Sequence, residues 1–268
     1  MSIYVFGSTG MLGSYVASYF EKQHFNVVRI TRSDIDVANV KIGELSNWFL
    51  FHHKLTGNDT VINCAGLIKQ KMSDTDSLNA VKINSVFPHV LSNYCREVSA
   101  HLIHISSDCC FAGTRGGYVE TDIPDADDIY GLTKAAGEPR DCSVIRTSVI
   151  GEGDFKGSLL EWVRSQKNVK GFTNHKWNGV TCLQLAKAME NIIKFQDWWD
   201  GVRHYGGDVV NKAQLVRDIV KVYGNGIMVT DVEADKGVDR TLNTIHRSPF
   251  IPAPSIYVQL EEQRDFKL

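Results

Sequence analysis

Tyr130 and Lys134 are four residues apart, and Ser107-Asp108-Cys109 closes an apolar run upstream of them. Residues four apart share one face of a helix. A free tyrosine titrates near ~10, too high for a ready proton relay at neutral pH, and a neighbouring ammonium favours the tyrosinate. A tyrosine tuned in this way can protonate a carbonyl oxygen as a hydride reaches the carbonyl carbon. The Ser107 hydroxyl would supply a second hydrogen bond to that oxygen. The same lysine could hold a ribose hydroxyl of the hydride donor. A tyrosine and a lysine at this spacing recur by chance, so the pair gains weight only if the chain also carries a dinucleotide site.

The first 30 residues supply one. Ile3 to Phe6 is a short apolar run, predicted as a buried strand. Gly7-Ser8-Thr9-Gly10-Met11-Leu12-Gly13 follows, then a helix marked by Leu12, Val16, Tyr19 and Phe20, then a second strand at Val27 to Ile30. Gly7 permits a tight turn, Gly10 lets backbone approach a pyrophosphate, and Gly13 lets helix and strand pack closely. Thr9, Met11 and Leu12 sit where the helix start offers N–H groups to phosphate. A glycine pattern between a strand and a helix is the context that gives this motif meaning. The second strand runs into Thr31-Arg32-Ser33, and a basic residue there suits the 2′-phosphate of NADPH better than the free hydroxyl of NADH. Asp34 and Asp36 stand close by, and Asp36 and Val37 complete the loop expected at the adenosine ribose.

The remaining elements alternate. Ile42, Leu45, Trp48 and Phe49 have helical spacing, and Thr60 to Cys64 is a buried strand ending in Ala65-Gly66. Small residues such as Cys64, Ala65 and Gly66 leave room for a ligand at the carboxyl end of a parallel strand. A helix over about Leu78 to Val98 presents Val81, Val86, Val90, Leu91 and Tyr94 as its apolar face, with Asn84 placed to brace the active-site strand. Leu102 to Ile105 and Ser143 to Arg146 are further strands. This alternation predicts an α/β fold, a Rossmann doubly wound parallel sheet with a small C-terminal α/β substrate lobe. The division expected is a cofactor domain over 1–150, with some later segments returning to it, and a mainly substrate-binding lobe over 151–268.

In the second part, Leu159 to Val163 reads as helix. Thr181-Cys182-Leu183-Gln184 reads as a capping box opening a helix through Ala188, Ile192 and Phe195. Gly201 to Gly207 is glycine-rich, Leu215, Ile219, Val220 and Val222 suggest another helix, and Pro249, Pro252 and Pro254 predict an irregular tail.

Composition narrows the classes. The net charge is -2 over 268 residues, so bulk electrostatics offer nothing to nucleic acid or an anionic membrane. No apolar run approaches the ~20 residues of a membrane span. The first strand starts at Ile3 with no basic flank or cleavage site, from which a cytoplasmic protein is expected. The six cysteines (Cys64, Cys95, Cys109, Cys110, Cys142 and Cys182) form no Cys-x-x-Cys pair, so no metal site is expected and the thiols should be free. Cys110 is expected to point to the core. A homodimer is compatible with everything above.

The glycine turn from Gly7 to Gly13, Asn63 to Gly66, Ser106-Ser107-Asp108, Tyr130 to Lys134 with Gly137-Glu138, and Arg146 together resemble the extended short-chain dehydrogenase/reductases. More narrowly they resemble the nucleotide-sugar 4-ketoreductases, typified by dTDP-4-dehydrorhamnose reductase, over nearly the whole chain. The resemblance implies that Ser107, Tyr130 and Lys134 are the catalytic triad, that NADPH is the cofactor, and that a UDP- or dTDP-linked 4-keto-6-deoxy sugar is the substrate. It also implies that Asp154-Phe155, the Asn174 to Thr181 loop and Arg240 to Asn243 hold the sugar nucleotide. Lys156, His175 and Arg240 are the substrate residues expected on that ground, and Trp177 could stack on a base or sugar.

One position departs from the reductase pattern, where a tyrosine follows the aspartate. Cys109 stands there instead, as in the GDP-fucose synthases and the plant-type UDP-rhamnose epimerase/reductases, whose cysteine is similar to an acid/base acting beside the keto group. A C–H next to a ketone is acidified, and groups that polarise the ketone also stabilise the enolate. A cysteine near pKa ~8.5 can exchange that proton when modestly tuned. The expectation is a reductase coupled to epimerisation at C3, or also C5. Epimerisation also wants an acid/base group on the other sugar face, and at the position matching those relatives stands Ser158, with Lys156 and His175-Lys176 nearby. The alternatives are a simple 4-ketoreductase, a cofactor-recycling epimerase or dehydratase, and a non-catalytic regulatory homologue.

Overall fold

Successive side chains of the first strand point to opposite faces of a sheet. Ile3 and Val5 enter one core cluster, Tyr4 and Phe6 another. All four are buried, as expected for a strand covered on both faces. In the computed structural model, which describes residues 1–69, 77–152, 158–224, 226–247 and 250–268, this strand is β1 (Ser2–Phe6). It is followed by α1 (Met11–Lys22), β2 (Asn26–Ile30), α2 (Ile42–His52), β3 (Thr60–Asn63), α3 (Ser77–Ala80), α4 (Phe87–Glu97), β4 (His101–Ser107), α5 (Ile129–Ala136) and β5 (Ser143–Thr147). Then come β6 (Val149–Ile150), α6 (Leu159–Arg164), β7 (Asn168–Phe172), β8 (His175–Trp177), β9 (Val180–Thr181), α7 (Cys182–Phe195) and β10 (Gly201–His204). The chain ends with β11 (Val210–Asn211), α8 (Lys212–Tyr223), β12 (Met228–Val232), β13 (Val238–Asp239) and α9 (Ile256–Phe266).

The main sheet has the order β10-β5-β4-β3-β1-β2, with every pairing parallel. Strand order reverses beside β1, which places a crevice between the carboxyl ends of β1 and β3, where ligands bind in doubly wound sheets. One face is covered by α1 and α7, through Val16, Phe20, Leu185, Met189 and Ile192. The other is covered by α2 and α4, through Leu45, Phe49, Leu91 and Tyr94. A third cluster, built on Leu160, Trp177, Leu215, Ile219 and Leu260, fills a lobe of α6, α8, α9 and small sheets.

Several local expectations are corrected. The helix read over Leu78 to Val98 is interrupted by a π-helical segment over Val81–Val86. Its wider turn shifts the register, so Val81 and Val86 face solvent while Asn84 and Ser85 turn inward. Only half of the capping box at Thr181 forms. The Thr181 hydroxyl accepts from Gln184 N–H, but the Gln184 amide donates to Tyr205, and Thr181 N–H donates to Gln259. The glycine-rich stretch after residue 200 contains β10, which joins the main sheet beside β5. From residue 250, with Pro249 outside the described residues, the tail is irregular only until Ser255, after which α9 forms an 11-residue helix packed on α7 and α8. Its prolines precede the helix and so cost it no internal hydrogen bond. Among the described residues, no helix is long and apolar enough to cross a membrane.

Candidate active site

The carboxyl edge of the sheet gathers the segments singled out by sequence. After β1, Gly7 takes φ +71 and turns back to donate to Ile30 O. A Cβ on Gly13 would lie 2.1 Å from Gly7 O, so only glycine lets α1 sit this close behind the turn. Gly10 caps α1 without a side-chain bond, which leaves the N–H groups at Met11 and Leu12 to a ligand. Thr9 and Gly10 are exposed in the turn.

After β2, Asp34 is consumed locally, accepting from Thr31 N–H and Thr31 hydroxyl. Asp36 accepts from Ala38 N–H and the Asn39 amide. Both carboxylates are therefore tied into their own loop. Arg32 stays exposed with no ion pair among the described residues, and Val37 packs its side chain against the core below.

After β3, Asn63 accepts from Ala65 N–H, and the Cys64 and Ala65 backbone lies against Gly7, while Gly66 faces the Asn84 side chain. Asn84 is wholly buried. It holds the Leu67 backbone through both N–H and C=O and donates to the Thr133 hydroxyl. Its bracing thus links the loop after β3 to α5, rather than bonding strand β4 as expected.

At the end of β4 the backbone tightens into a 3-10 turn over Asp108–Cys110. Ser107 Oγ accepts from Cys109 N–H at 3.1 Å and donates to Asp108 Oδ1 at 3.1 Å. Helix α5 is capped by Asp128 and presses on that turn. A Cβ on Gly131 would stand 2.2 Å from Cys109 O. This contact brings the half-buried Tyr130 to Ser107 and Cys109. Lys134 is 4 % exposed and donates from Nζ to Ile105 O at 2.8 Å.

The electrostatics differ from expectation at the tyrosine. Burial, then the Cys109 thiol, push the Tyr130 phenol above its ordinary value, while the Ser107 hydroxyl facing it works the other way. The charge of Lys134 is directed to Ile105 O, and burial lowers Lys134 itself against the pull of Cys110 and Glu138. Tyr130 is therefore a protonated phenol, the form needed to donate. Burial and then the neighbouring Asp108 push the Cys109 thiol up to about 12. Burial raises Asp108, opposed first by the charge of Lys212.

Beneath the turn lies a buried ion pair. Arg146 binds both oxygens of Glu138 at 2.7 and 2.6 Å, and Ser106 and Cys110 also donate to that carboxylate. Cys110 thus points inward. His204, at the end of β10, adds its ring to Arg146 at 3.3 Å.

The lobe residues separate. Arg240 reaches the site, donating from Nε to Phe111 O at 2.7 Å and acting on Asp108 and Cys109 with its charge. His175 stacks on Phe172 and places Nε2 at Lys236 O. Trp177 is a correction: it is 6 % exposed within the lobe core, with its indole N–H on Ser148, so it offers no stacking face. Lys156, with Asp154 and Phe155, lies outside the described residues. Sequence reading overlooked Lys212, the first residue of α8, whose Nζ stands 5.3 Å over the Trp177 ring. A signal was available, since the positive end of a helix dipole disfavours a cation there.

A model of the family described as RmlD substrate binding domain matches residues 1–237 of the chain. The dTDP-4-keto-6-deoxy-D-glucose reductase of Streptomyces niveus is 31% identical over 153 residues, which is 54% of this chain and 51% of that protein. Methionine adenosyltransferase 2 subunit beta of Rattus norvegicus is 28% identical over 142 residues, 51% of this chain and 41% of that one. The chain thus spans about half the length, or less, of these curated relatives. The fold is that of the dTDP-4-dehydrorhamnose reductase of Bacillus anthracis solved in complex with NADP. The match has a TM-score of 0.80 at 17% identity and covers 98% of each chain.

Proposed function

The chain belongs to the RmlD substrate binding domain family, and from that premise we propose that it reduces the ketone of a 4-keto-6-deoxy nucleotide sugar with NADPH, in deoxysugar biosynthesis. The observation that carries this reading is the meeting of Ser107, Tyr130 and Lys134 at the sheet edge, beside a crevice shaped for a dinucleotide. The residues present fit that cofactor. The close approach of Gly13 to Gly7 opens the turn to a pyrophosphate, and the free N–H groups of α1 face it. With Asp34 and Asp36 tied up, Arg32 is the group available to a 2′-phosphate. When bound, the nicotinamide supplies the hydride. Tyr130 then protonates the carbonyl oxygen, Ser107 steadies it by a hydrogen bond, and Lys134 holds the neighbouring ribose. Residues 151–268 supply much of the sugar wall, through Arg240 and the segments about it.

The reading extends to inversion at C3, or also C5, before reduction, with Cys109 as one proton carrier. Its support is position: Cys109 lies on the same turn as Ser107 and acts electrostatically on Tyr130. The test is mass spectrometry of products from a panel of UDP- and dTDP-linked 4-keto-6-deoxy sugars with NADPH. Net NADPH oxidation with a reduced sugar is expected. No oxidation with any member would favour a regulatory homologue, as the relationship to a methionine adenosyltransferase beta subunit would then suggest.

A further inference from the structure

The turn that carries Ser107 is fastened at both ends to one carboxylate. Ser106 and Cys110 flank Ser107, Asp108 and Cys109, and both donate to Glu138 Oε1. Arg146 holds that carboxylate from below, donating from Nε and Nη2 to its two oxygens. The remaining guanidinium nitrogen, Nη1, meets His204 Nε2 at 3.3 Å. A guanidinium donates and never accepts, so Nε2 must offer its lone pair. The other ring nitrogen faces two carbonyls. Nδ1 stands 2.8 Å from Asn243 O and 3.1 Å from Tyr118 O, so it must carry the hydrogen. The partners thus assign His204 to the neutral Nδ1–H tautomer. Burial, opposed by the charge of Glu120, disfavours a second proton.

The Nδ1 side of the ring leads to the lobe. Asn243 closes the segment that begins at Arg240, whose Nε donates to Phe111 O. That segment is zipped to Tyr118, since Asn243 N–H donates to Tyr118 O and Tyr118 N–H donates to Thr241 O. The Tyr118 ring stacks on Phe111 at 4.2 Å, and the Phe111 ring meets the edge of His204. His204, 4 % exposed, therefore stands between two parts of the site. The sugar wall lies beyond Nδ1, and the Ser107 turn lies beyond Nε2.

We propose that His204 is a positioning residue for the ketone reduction, bridging the Arg240 to Asn243 wall to the Arg146–Glu138 pair so that Ser107 stands at a set distance from the bound sugar. This rests on the reductase reading given above. The ring itself touches no reacting atom. Two one-sided substitutions separate bridging from the filling of space. Asparagine puts an amide N–H near the place of Nδ1 and nothing at Nε2. Glutamine puts an amide oxygen near the place of Nε2 and nothing at Nδ1. A bridge fails when either half is missing, whereas a space-filling ring costs stability alone.

The experiment measures kcat and KM for NADPH-dependent reduction of dTDP-4-keto-6-deoxyglucose by wild type, H204N, H204Q, S107A and S107A/H204N. Melting temperature establishes that each is folded. H204N and H204Q should each lose about 10–100-fold in kcat, as a reacting group displaced by up to about 1 Å does. The KM for NADPH should not move, because the coenzyme crevice lies at other strands. In the S107A background, H204N should cost no further kcat, because the hydroxyl through which it acts is gone. In addition, ¹⁵N NMR of the wild-type ring should find its hydrogen on Nδ1, a reading that needs neither activity nor a folded variant. Wild-type kcat in either folded variant overturns the bridge. Losses that multiply in the double variant, or a ring protonated on Nε2, overturn it as well. No NADPH oxidation by wild type is a different result: it removes the reductase reading itself, whatever the tautomer, and this inference with it.

Discussion

Gly131→Ala is the substitution whose sign the structure decides. In an ordinary helix interior, replacing glycine by alanine stabilises by about 0.5–1 kcal/mol. Here the added methyl would stand 2.2 Å from Cys109 O and 2.5 Å from the Ala126 Cβ. Ordinary contact needs roughly 3.5 Å, so α5 and the turn after β4 must separate by about 1 Å. Overpacking of this kind costs roughly 1–3 kcal/mol, which outweighs the gain in propensity. Tyr130 adjoins the displaced residue, so the same retreat draws its hydroxyl from Ser107. A displacement of about 1 Å at a reacting group costs on the order of 10²-fold in rate. The expected result is therefore a lower melting temperature and kcat/KM reduced about a hundredfold for NADPH-dependent reduction. The assay is NADPH absorbance with dTDP-4-keto-6-deoxyglucose, alongside thermal unfolding. A higher melting temperature with unchanged kcat/KM would refute the claim that this contact sets the position of Tyr130.

Arg32→Ala should raise the KM for NADPH by roughly 10–100-fold, equivalent to a lost charge-assisted hydrogen bond of about 1.5–3 kcal/mol. NADH kinetics should not move, and an equal loss with both coenzymes would show that Arg32 does not meet the 2′-phosphate. Arg146→Met strands the Glu138 carboxylate, whose side chain is 6 % exposed. Urea unfolding should show a loss of roughly 3–5 kcal/mol, part of it recovered when Glu138→Gln is added. His104 is fully buried, and burial holds its ring well below the ordinary value, so the folded chain keeps it neutral. The unfolded chain binds that proton below about pH 6.5, so stability should fall on acidification by about 1.4 kcal/mol per pH unit. His104→Gln should remove one proton from that dependence in urea midpoints measured from pH 7 to 5, leaving the smaller shares of His204 and His101.

The elements legible in the sequence were those specified by neighbours in the chain. A strand, a glycine turn and a helix within the first 30 residues declare themselves because each signal lies within a few residues of the next. The spacing of Tyr130 and Lys134 and the end of β4 were equally local. What stayed hidden depends on distant contacts. The inward turn of Asn84 comes from a π-helical register shift, which no hydrophobic period encodes. β10 is short and glycine-flanked, and it is a strand because β5 offers an open edge. Trp177 looked available because tryptophan suits stacking, but the lobe core and Ser148 occupy it. Lys212 lies more than a hundred residues from Cys109 in the chain, and only folding brings their charges within reach.

The return of β10 and α7 to the main sheet also bears on the order in which the protein can be made. Synthesis releases the N-terminal part first. When residue 150 leaves the ribosome, β1 to β5 are present, but α7, which covers the Ile103, Ile105 and Ile145 face, is not. The outer edge of β5 is likewise unpaired until residues 201–204 emerge. The nascent sheet therefore waits through the synthesis of α6, the small strands of the lobe and α7 with one apolar face partly bare and one edge open, the two features that promote association between chains. A fragment ending at residue 150 would hold that state permanently, and the lobe's coding segment cannot be separated from the sheet by a single cut.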